Sequence, residues 1–225
     1  MTDAFRPALI VVDLQEDFCP PNGSLAVAEG REVAVPINKL LELPFVLKVA
    51  TKDWHPSNHV SFAANHAGKQ PYTDFVTIVH PENAAKSYSS RLWPVHCVQG
   101  SAGAELLPEL DAGKLDQIVE KGTDARVEMY SPFHDPLHVS DSGLAGLLRE
   151  HGVTDVYVVG LAADYCVRSC AEDAAGEGFR SYLIEEATRA VDPGSWAACK
   201  KDIEGSGAKI VSMDGPEVQR LMTAQ

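Results

Sequence analysis

One cysteine of this chain, Cys166, lies in a pattern that would suit a nucleophile. Residues 156–159 are β-branched or aromatic, Gly160 and small residues follow, and a helical pattern begins near the cysteine. This order predicts a strand, a tight turn and a helix that carries the thiol in its first turn. Unpaired backbone N–H groups and the helix dipole lower the pKa of such a thiol from its free value of about 8.5. The alternative is a small buried core residue, which is the commonest fate of a free cysteine.

A nucleophilic thiol needs a proton acceptor and a nearby cation, because the thiolate is the attacking form. Asp13 follows the apolar run 8–12, and Lys121 ends the run 115–121. Taken singly, an aspartate there is as easily a turn cap and a lysine a solvated strand end. Together at strand ends, they would supply Cys166 with a base and a positive charge. The turn before Cys166 would also aim the backbone N–H groups of Ala162 and Cys166 at a developing oxyanion.

A second group of residues has the side chains that bind metal ions. Asp53 and His55 are two residues apart in an extended segment, so their side chains point to the same face. One carboxylate and one imidazole suit zinc, iron or manganese, and an open site needs about one further protein ligand. We choose His96 as that ligand, and a polar turn with a surface histidine is the alternative for the Asp-x-His triplet. The competing histidines are His59, His66 and His80.

The alternation of strand and helix patterns explains how these residues could meet. Strands are predicted over residues 8–13, 45–51, 115–121, 154–160, 180–185 and 208–213, and helices over 33–43, 144–151, 165–178, 194–205 and 216–223. This pattern predicts an α/β fold, with a mostly parallel six-stranded sheet between helices on both faces and a single domain over residues 1–225. Ligands of such folds bind at the carboxyl ends of the strands. The aperiodic segment 56–114 is expected to be a long functional excursion.

Composition and charge exclude several classes of protein. The chain has 225 residues, 45% of them hydrophobic, which is enough for one well-buried core. Its 19 Lys and Arg against 32 Asp and Glu give a formal charge of −13, so nucleic acid is not an expected partner. We find neither a signal-peptide pattern nor an apolar run near the roughly 20 residues that cross a bilayer. A cytoplasmic protein is therefore expected, with nucleus and peroxisome as alternatives, and its five cysteines are expected to be reduced.

The motifs taken together resemble those of the nicotinamidases, also called pyrazinamidases, within the isochorismatase-like cysteine hydrolases. The matching segments are residues 12–18, 52–62, 93–100, 121–124 and 160–167. The segments that hold the aspartate, lysine and cysteine are shared across the superfamily. The segments Lys-Asp-Trp-His-Pro and Trp-Pro-Val-His-Cys together point to nicotinamidases. Two positions depart from the usual pattern, with Glu16 in place of asparagine and Ala163 in place of threonine, which affects fine tuning more than reaction class.

The resemblance implies a role for each candidate residue. Cys166 would be the nucleophile, Asp13 its proton acceptor and Lys121 the cation that orients the pair. Backbone N–H groups of Ala162 and Cys166 would form the oxyanion hole, with a cis peptide before Ala162. Asp53, His55 and His96 would hold one divalent metal, zinc first, with iron or manganese as alternatives. Three aromatic residues would wall the substrate ring, namely Phe18, Trp93 and Tyr130.

The resemblance also implies the reaction. The chain would hydrolyse nicotinamide, and also pyrazinamide, through a cysteine thioester, in NAD salvage. The rival within enzymes is another hydrolase of the superfamily, acting on isochorismate or a carbamoyl compound without the metal ligands. The rival outside enzymes is a silent metabolite or redox sensor that keeps the pocket. Neither a nucleic acid nor a membrane is an expected partner, and the choice between monomer and homo-oligomer stays open.

Overall fold

A computed structural model describes residues 4–223 of the chain and contains one large sheet with a smaller hairpin beside it. The strands are β1 (Pro7–Val12), β2 (Leu47–Asp53), β3 (Phe75–His80), β4 (Asn83–Arg91), β5 (Gln117–Lys121), β6 (Asp155–Leu161), β7 (Arg180–Arg189) and β8 (Lys209–Val211). The large sheet has six strands in the order β5-β2-β1-β6-β7-β8, and every neighbouring pair is parallel. The predicted parallel six-stranded sheet is confirmed.

Helices cover both faces of this sheet. They are α1 (Ala34–Leu41), α2 (Leu144–Glu150), α3 (Cys166–Gly176), α4 (Trp196–Gly205) and α5 (Pro216–Thr223). The apolar strand β1 separates two cores, because its alternate side chains point to opposite faces. Leu9 and Val11 pack in the core with α1 and α5, whereas Ile10 packs in the core with α2, α3 and α4. The predicted three-layer α/β arrangement is confirmed, and the prediction of a single domain stays a prediction.

The segment 56–114 contains a regular element that the sequence did not predict. β3 and β4 form an antiparallel hairpin with a register shift between Val79 and His80. Most of their side chains are exposed or half-buried, with Ile78 the buried exception on β3. Because so few side chains of the hairpin are buried, it shows no sustained alternation of apolar and polar residues, and residues 56–114 looked aperiodic. None of the helices within residues 4–223 is long and apolar enough to cross a membrane.

The carboxyl ends of the central strands converge beside β1. The chain order changes direction at β1, since β2 and β5 lie on one side of it and β6, β7 and β8 lie on the other. Such a switch point opens a crevice for ligands at the carboxyl edge of a parallel sheet. Gly160 lets β6 lie close to β1 there, because a Cβ built on it would stand 2.0 Å from the carbonyl oxygen of Val12.

Candidate active site

Cys166 is the first residue of α3, which begins one short turn after β6 ends at Leu161. The residue is buried, and its Sγ lies 3.5 Å from Lys121 Nζ. Burial raises the pKa of Cys166 well above its usual value, and Asp13 raises it further, although Lys121 lowers it. The sequence predicted a lowered pKa, but desolvation outweighs the helix terminus in this closed site. A protonated resting thiol needs a base that takes its proton during attack.

Lys121 lies between two carboxylates at the end of β5. Its Nζ is 3.0 Å from Asp13 Oδ2 and 2.5 Å from Asp53 Oδ1, and it also donates to the carbonyl oxygen of Met129 at 3.1 Å. Burial alone would lower the pKa of Lys121, but the two carboxylates outweigh it and raise the pKa well above its usual value. The lysine is therefore a permanent buried cation that links Asp13 to Asp53.

Asp13 has the geometry and the pKa of a proton acceptor. It is fully buried directly after β1, in a left-handed backbone conformation with φ of 46°. The Thr51 hydroxyl donates to Asp13 Oδ1 at 2.6 Å, whereas no donor in residues 4–223 makes a well-aligned hydrogen bond to Oδ2. Burial raises the pKa of Asp13 to about 6, although Lys121 lowers it. A carboxyl oxygen of Asp13 lies within 4.8 Å of Cys166 Sγ, so a proton can pass between the two side chains.

The turn between β6 and α3 presents two free backbone donors. The Leu161–Ala162 peptide bond is cis, at the position where the resemblance implied one. Across residues 4–223, neither the Ala162 N–H nor the Cys166 N–H donates to a backbone or side-chain acceptor. The neighbouring N–H groups are used, since Ala163 donates to the Arg189 carbonyl at 2.8 Å and Val167 to the Ala162 carbonyl at 3.1 Å. Two unused donors beside a buried thiol can stabilise an oxyanion.

The three predicted metal ligands converge beside this trio. Asp53 Oδ2 lies 3.5 Å from His55 Nε2 and 3.9 Å from His96 Nε2. The other ring nitrogens are held by backbone carbonyls, with His55 Nδ1 2.8 Å from the Gly122 oxygen and His96 Nδ1 2.8 Å from the Pro94 oxygen. His55 Nε2 is buried without a hydrogen-bond partner in the described chain. One carboxylate and two imidazoles with oriented Nε2 atoms fit a divalent metal such as zinc.

Two further residues near this cluster bear on the choice of ligands. His59 stacks on His55 with ring centroids 4.0 Å apart, and Glu128 completes a second group with these two histidines. Burial lowers the pKa of His59 to about 2 and raises the pKa of Glu128. The other competing histidines, His66 and His80, belong to neither group within residues 4–223. The sequence missed Glu128 because it lies in an irregular segment, with no spacing that relates it to the histidines.

The predicted catalytic residues and the predicted metal ligands border one apolar pocket. The pocket has an empty volume of about 400 Å³, and Cys166, Asp53 and His96 line one side of it. The predicted aromatic residues line it too, namely Phe18, Trp93 and Tyr130. Sequence reasoning missed the remaining lining residues, namely Leu25, Val27, Glu128, Tyr165 and Val191. A flat heteroaromatic ring would fit between the aromatic walls, with a polar edge toward the histidines.

Comparison with known proteins gives consistent matches. A model of the isochorismatase domain matches residues 7–215. The nicotinamidase of Acinetobacter baylyi is 41% identical over 213 residues, which are 94% of this chain and 95% of that protein. The structure of the yeast nicotinamidase bound to the inhibitor nicotinaldehyde superposes with a TM-score of 0.87, at 34% identity over 92% of this chain and 99% of that chain. The pyrazinamidase of Pyrococcus horikoshii in complex with zinc gives a TM-score of 0.71, at 34% identity and the same two coverages, 92% and 99%.

Proposed function

Because this chain belongs to the isochorismatase domain family, and within it to the nicotinamidases, we propose that it hydrolyses nicotinamide to nicotinic acid and ammonia. One observation carries the proposal. Cys166, Lys121 and Asp13 meet at the floor of an apolar pocket whose walls are aromatic. The pocket would hold a neutral pyridine ring and place its carboxamide beside the thiol, with pyrazinamide as a second substrate.

The catalytic residues would act in two stages. Cys166 Sγ attacks the carboxamide carbon while Asp13 takes the thiol proton, and the N–H groups of Ala162 and Cys166 bind the oxyanion. Asp13 then returns the proton to the leaving amine, so ammonia departs and a thioester remains on Cys166. A water molecule deprotonated by Asp13 attacks the thioester, which releases nicotinic acid and restores the thiol. Lys121 holds Asp13 in place and stabilises its charged form throughout.

A divalent metal would complete the site, and zinc is the metal we propose. Asp53, His55 and His96 would hold it, since their donor atoms lie within 4.8 Å of one another. When bound, the metal supplies a fixed positive charge that orients the ring nitrogen of the substrate, which is a template role. The zinc complex of the pyrazinamidase relative supports this choice. Asp53 and His96 themselves line the pocket, which supports a metal within reach of the substrate ring.

The same proposal extends to the cellular role. Nicotinic acid made from nicotinamide would return to NAD, so the reaction would belong to NAD salvage. We propose a cytoplasmic location, because all five cysteines are free and buried, as is usual in a reducing compartment.

Ammonia release from nicotinamide by the purified, zinc-supplemented protein is the experiment that tests the function. We expect saturable release with nicotinic acid as the equimolar product, and no pyruvate from isochorismate. A folded, zinc-loaded protein that releases no ammonia from nicotinamide would overturn the proposal and favour another hydrolase of the superfamily.

Replacing His96 with alanine tests the metal ligands. We expect metal affinity and ammonia release to fall by at least about a hundredfold. Losing a hydrogen bond that only supports a metal ligand already costs about 10- to 100-fold, and losing the ligand itself costs more. Metal bound per chain, measured after equilibrium dialysis against dilute zinc, gives a readout that is independent of activity. The matched control is His80→Ala on the hairpin, which should bind zinc as the unchanged protein does. Equal zinc content in both variants would contradict the assignment.

The pH dependence tests Asp13 as the base. The carboxylate form must accept the thiol proton, so kcat/KM should fall as the pH drops through about 6. Thr51→Val removes the hydroxyl that donates to Asp13 Oδ1, which disfavours the charged form. The acid limb should then move upward by about one pH unit, as expected for the loss of about 1.4 kcal/mol. Thr77→Val on the exposed face of β3 is the control, and an acid limb unmoved by Thr51→Val would contradict the role of Asp13.

A further inference from the structure

Two neighbouring cavities meet at a wall that includes Tyr165. The inner cavity is the active-site pocket of about 400 Å³, and the outer cavity has an empty volume of about 1010 Å³. They share three lining residues, Trp93, Tyr165 and Val191. The outer cavity continues toward α4, where Ser195 and Cys199 line it. Its lining also includes five charged residues, namely Arg91, Asp164, Arg168, Asp192 and Asp202. The shared wall therefore decides how far a substrate in the inner pocket can extend.

Among the three shared residues, Tyr165 has the side chain that divides the space. Trp93 belongs to the inner wall, because it is buried and its Nε1 donates to the Tyr130 hydroxyl at 2.8 Å. Val191 is 37% exposed and has a short side chain, so it covers little of the boundary. The Tyr165 ring meets Trp93 edge to face at 4.9 Å and lies 5.5 Å from the Tyr130 ring. Its ring thus extends the aromatic wall along the boundary between the two cavities.

Tyr165 is held at both ends. Tyr165 directly precedes the nucleophile Cys166 in the chain. Its backbone N–H donates to the Ala162 carbonyl at 3.1 Å, and its backbone carbonyl accepts from the Ser169 N–H at 2.9 Å. At the other end, burial raises the pKa of Tyr165, while the charge of Arg91 near the hydroxyl lowers it. Arg91 is itself fixed to the hairpin, since its guanidinium lies 4.9 Å over the Phe75 ring. A side chain restrained in this way is a wall with a defined position.

We infer that Tyr165 is a specificity-determining residue whose ring confines the site to single-ring carboxamides. The outer cavity is then a second subsite, which takes an aromatic substituent of the pyridine ring, beside Arg91 and Tyr72, when the tyrosine ring is removed. The inference rests on the proposed function for the position of the ring and amide in the inner pocket. It concerns the size of the substrate, which the catalytic trio and the metal ligands leave undefined.

The test compares nicotinamide with isomeric phenyl-substituted nicotinamides, one isomer for each free ring position. The measured quantity is kcat/KM for the best phenyl isomer divided by kcat/KM for nicotinamide. We expect this ratio to rise by about tenfold or more in Tyr165→Ala, chiefly through a lower KM for the phenyl isomer. Tyr165→Phe keeps the ring and should keep the ratio of the unchanged protein. Arg91→Gln loosens the outer anchor and should give a smaller rise than Tyr165→Ala.

A ratio that stays at its original value in a folded Tyr165→Ala protein would overturn the inference. If that variant does not fold, Tyr165→Leu gives the same comparison with a larger apolar side chain. Binding of the matching phenyl-substituted nicotinic acid, measured by calorimetry, provides a readout without turnover. Tyr165→Ala should bind this acid more tightly than the unchanged protein, and equal affinity also overturns the inference. Absence of ammonia release from nicotinamide by the unchanged protein would instead count against the proposed function.

Discussion

Replacing Cys166 with alanine will abolish ammonia release while the protein stays folded. The thiol is the one nucleophile that contacts Lys121 within the described site, and its Sγ lies 3.5 Å from the Lys121 ammonium. Without it, no thioester can form, so turnover should fall by at least about 10⁴-fold. The side chain is small, so the free energy of unfolding should change by no more than about 1 to 2 kcal/mol. Ammonia release and a denaturant titration measure the two effects.

The chain offers a matched control for this substitution. Cys170 lies one turn further along α3, is fully buried and has a pKa that burial also raises. Cys170→Ala should cost a similar amount of stability and retain ammonia release. Mass spectrometry of acid-quenched turnover should find an acyl adduct on Cys166 in the unchanged protein and none in Cys166→Ala. Comparable turnover by the two alanine variants would contradict the nucleophile assignment.

Much of this site followed from the sequence because its residues lie at strand ends. Asp13, Asp53 and Lys121 each end or follow an apolar run, and the topology of a parallel sheet brings such ends to one edge. Cys166 followed from the same rule through the turn after β6. The observed contacts agree with that expectation, since Lys121 Nζ reaches both carboxylates and the thiol. Regular elements therefore carried the predictable part of the site.

The parts that the sequence did not reveal depend on burial and on irregular backbone. The pKa of Cys166 is raised because the closed pocket and the two nearby carboxylates outweigh the helix terminus, and neither effect is visible in a local pattern. Glu128 and Tyr165 line the pocket from a loop and a helix cap, where no periodicity marks them. The hairpin of β3 and β4 stayed hidden because most of its side chains are exposed.

Replacing Lys121 with methionine should affect both stability and turnover. Lys121 is 1% exposed and is the cation that lies between Asp13 and Asp53. Its loss leaves buried carboxylate charge uncompensated, so the free energy of unfolding at pH 7 should fall by about 3 to 5 kcal/mol. Ammonia release should fall by more than about 10³-fold, since Asp13 loses the cation that favours its charged form. Urea titrations on chelator-treated protein measure the stability without a metal contribution.

The stability loss should depend on pH in a defined direction. Without Lys121, the pKa of Asp13 in the folded protein rises above its present value of about 6, whereas the unfolded value stays near about 3.9. The folded variant then binds more protons than the unfolded chain between these values, so its stability falls as pH rises and recovers as pH drops. The stability loss of Lys121→Met should therefore be smaller at about pH 5 than at about pH 7.5.

Lys52→Met is the matched control, because Lys52 pairs at 3.2 Å with a Glu105 side chain that is 60% exposed. The free energy of unfolding of that variant should fall by less than about 1 kcal/mol. If the stability loss of Lys121→Met is equally small and independent of pH, Lys121 does not compensate the buried carboxylates.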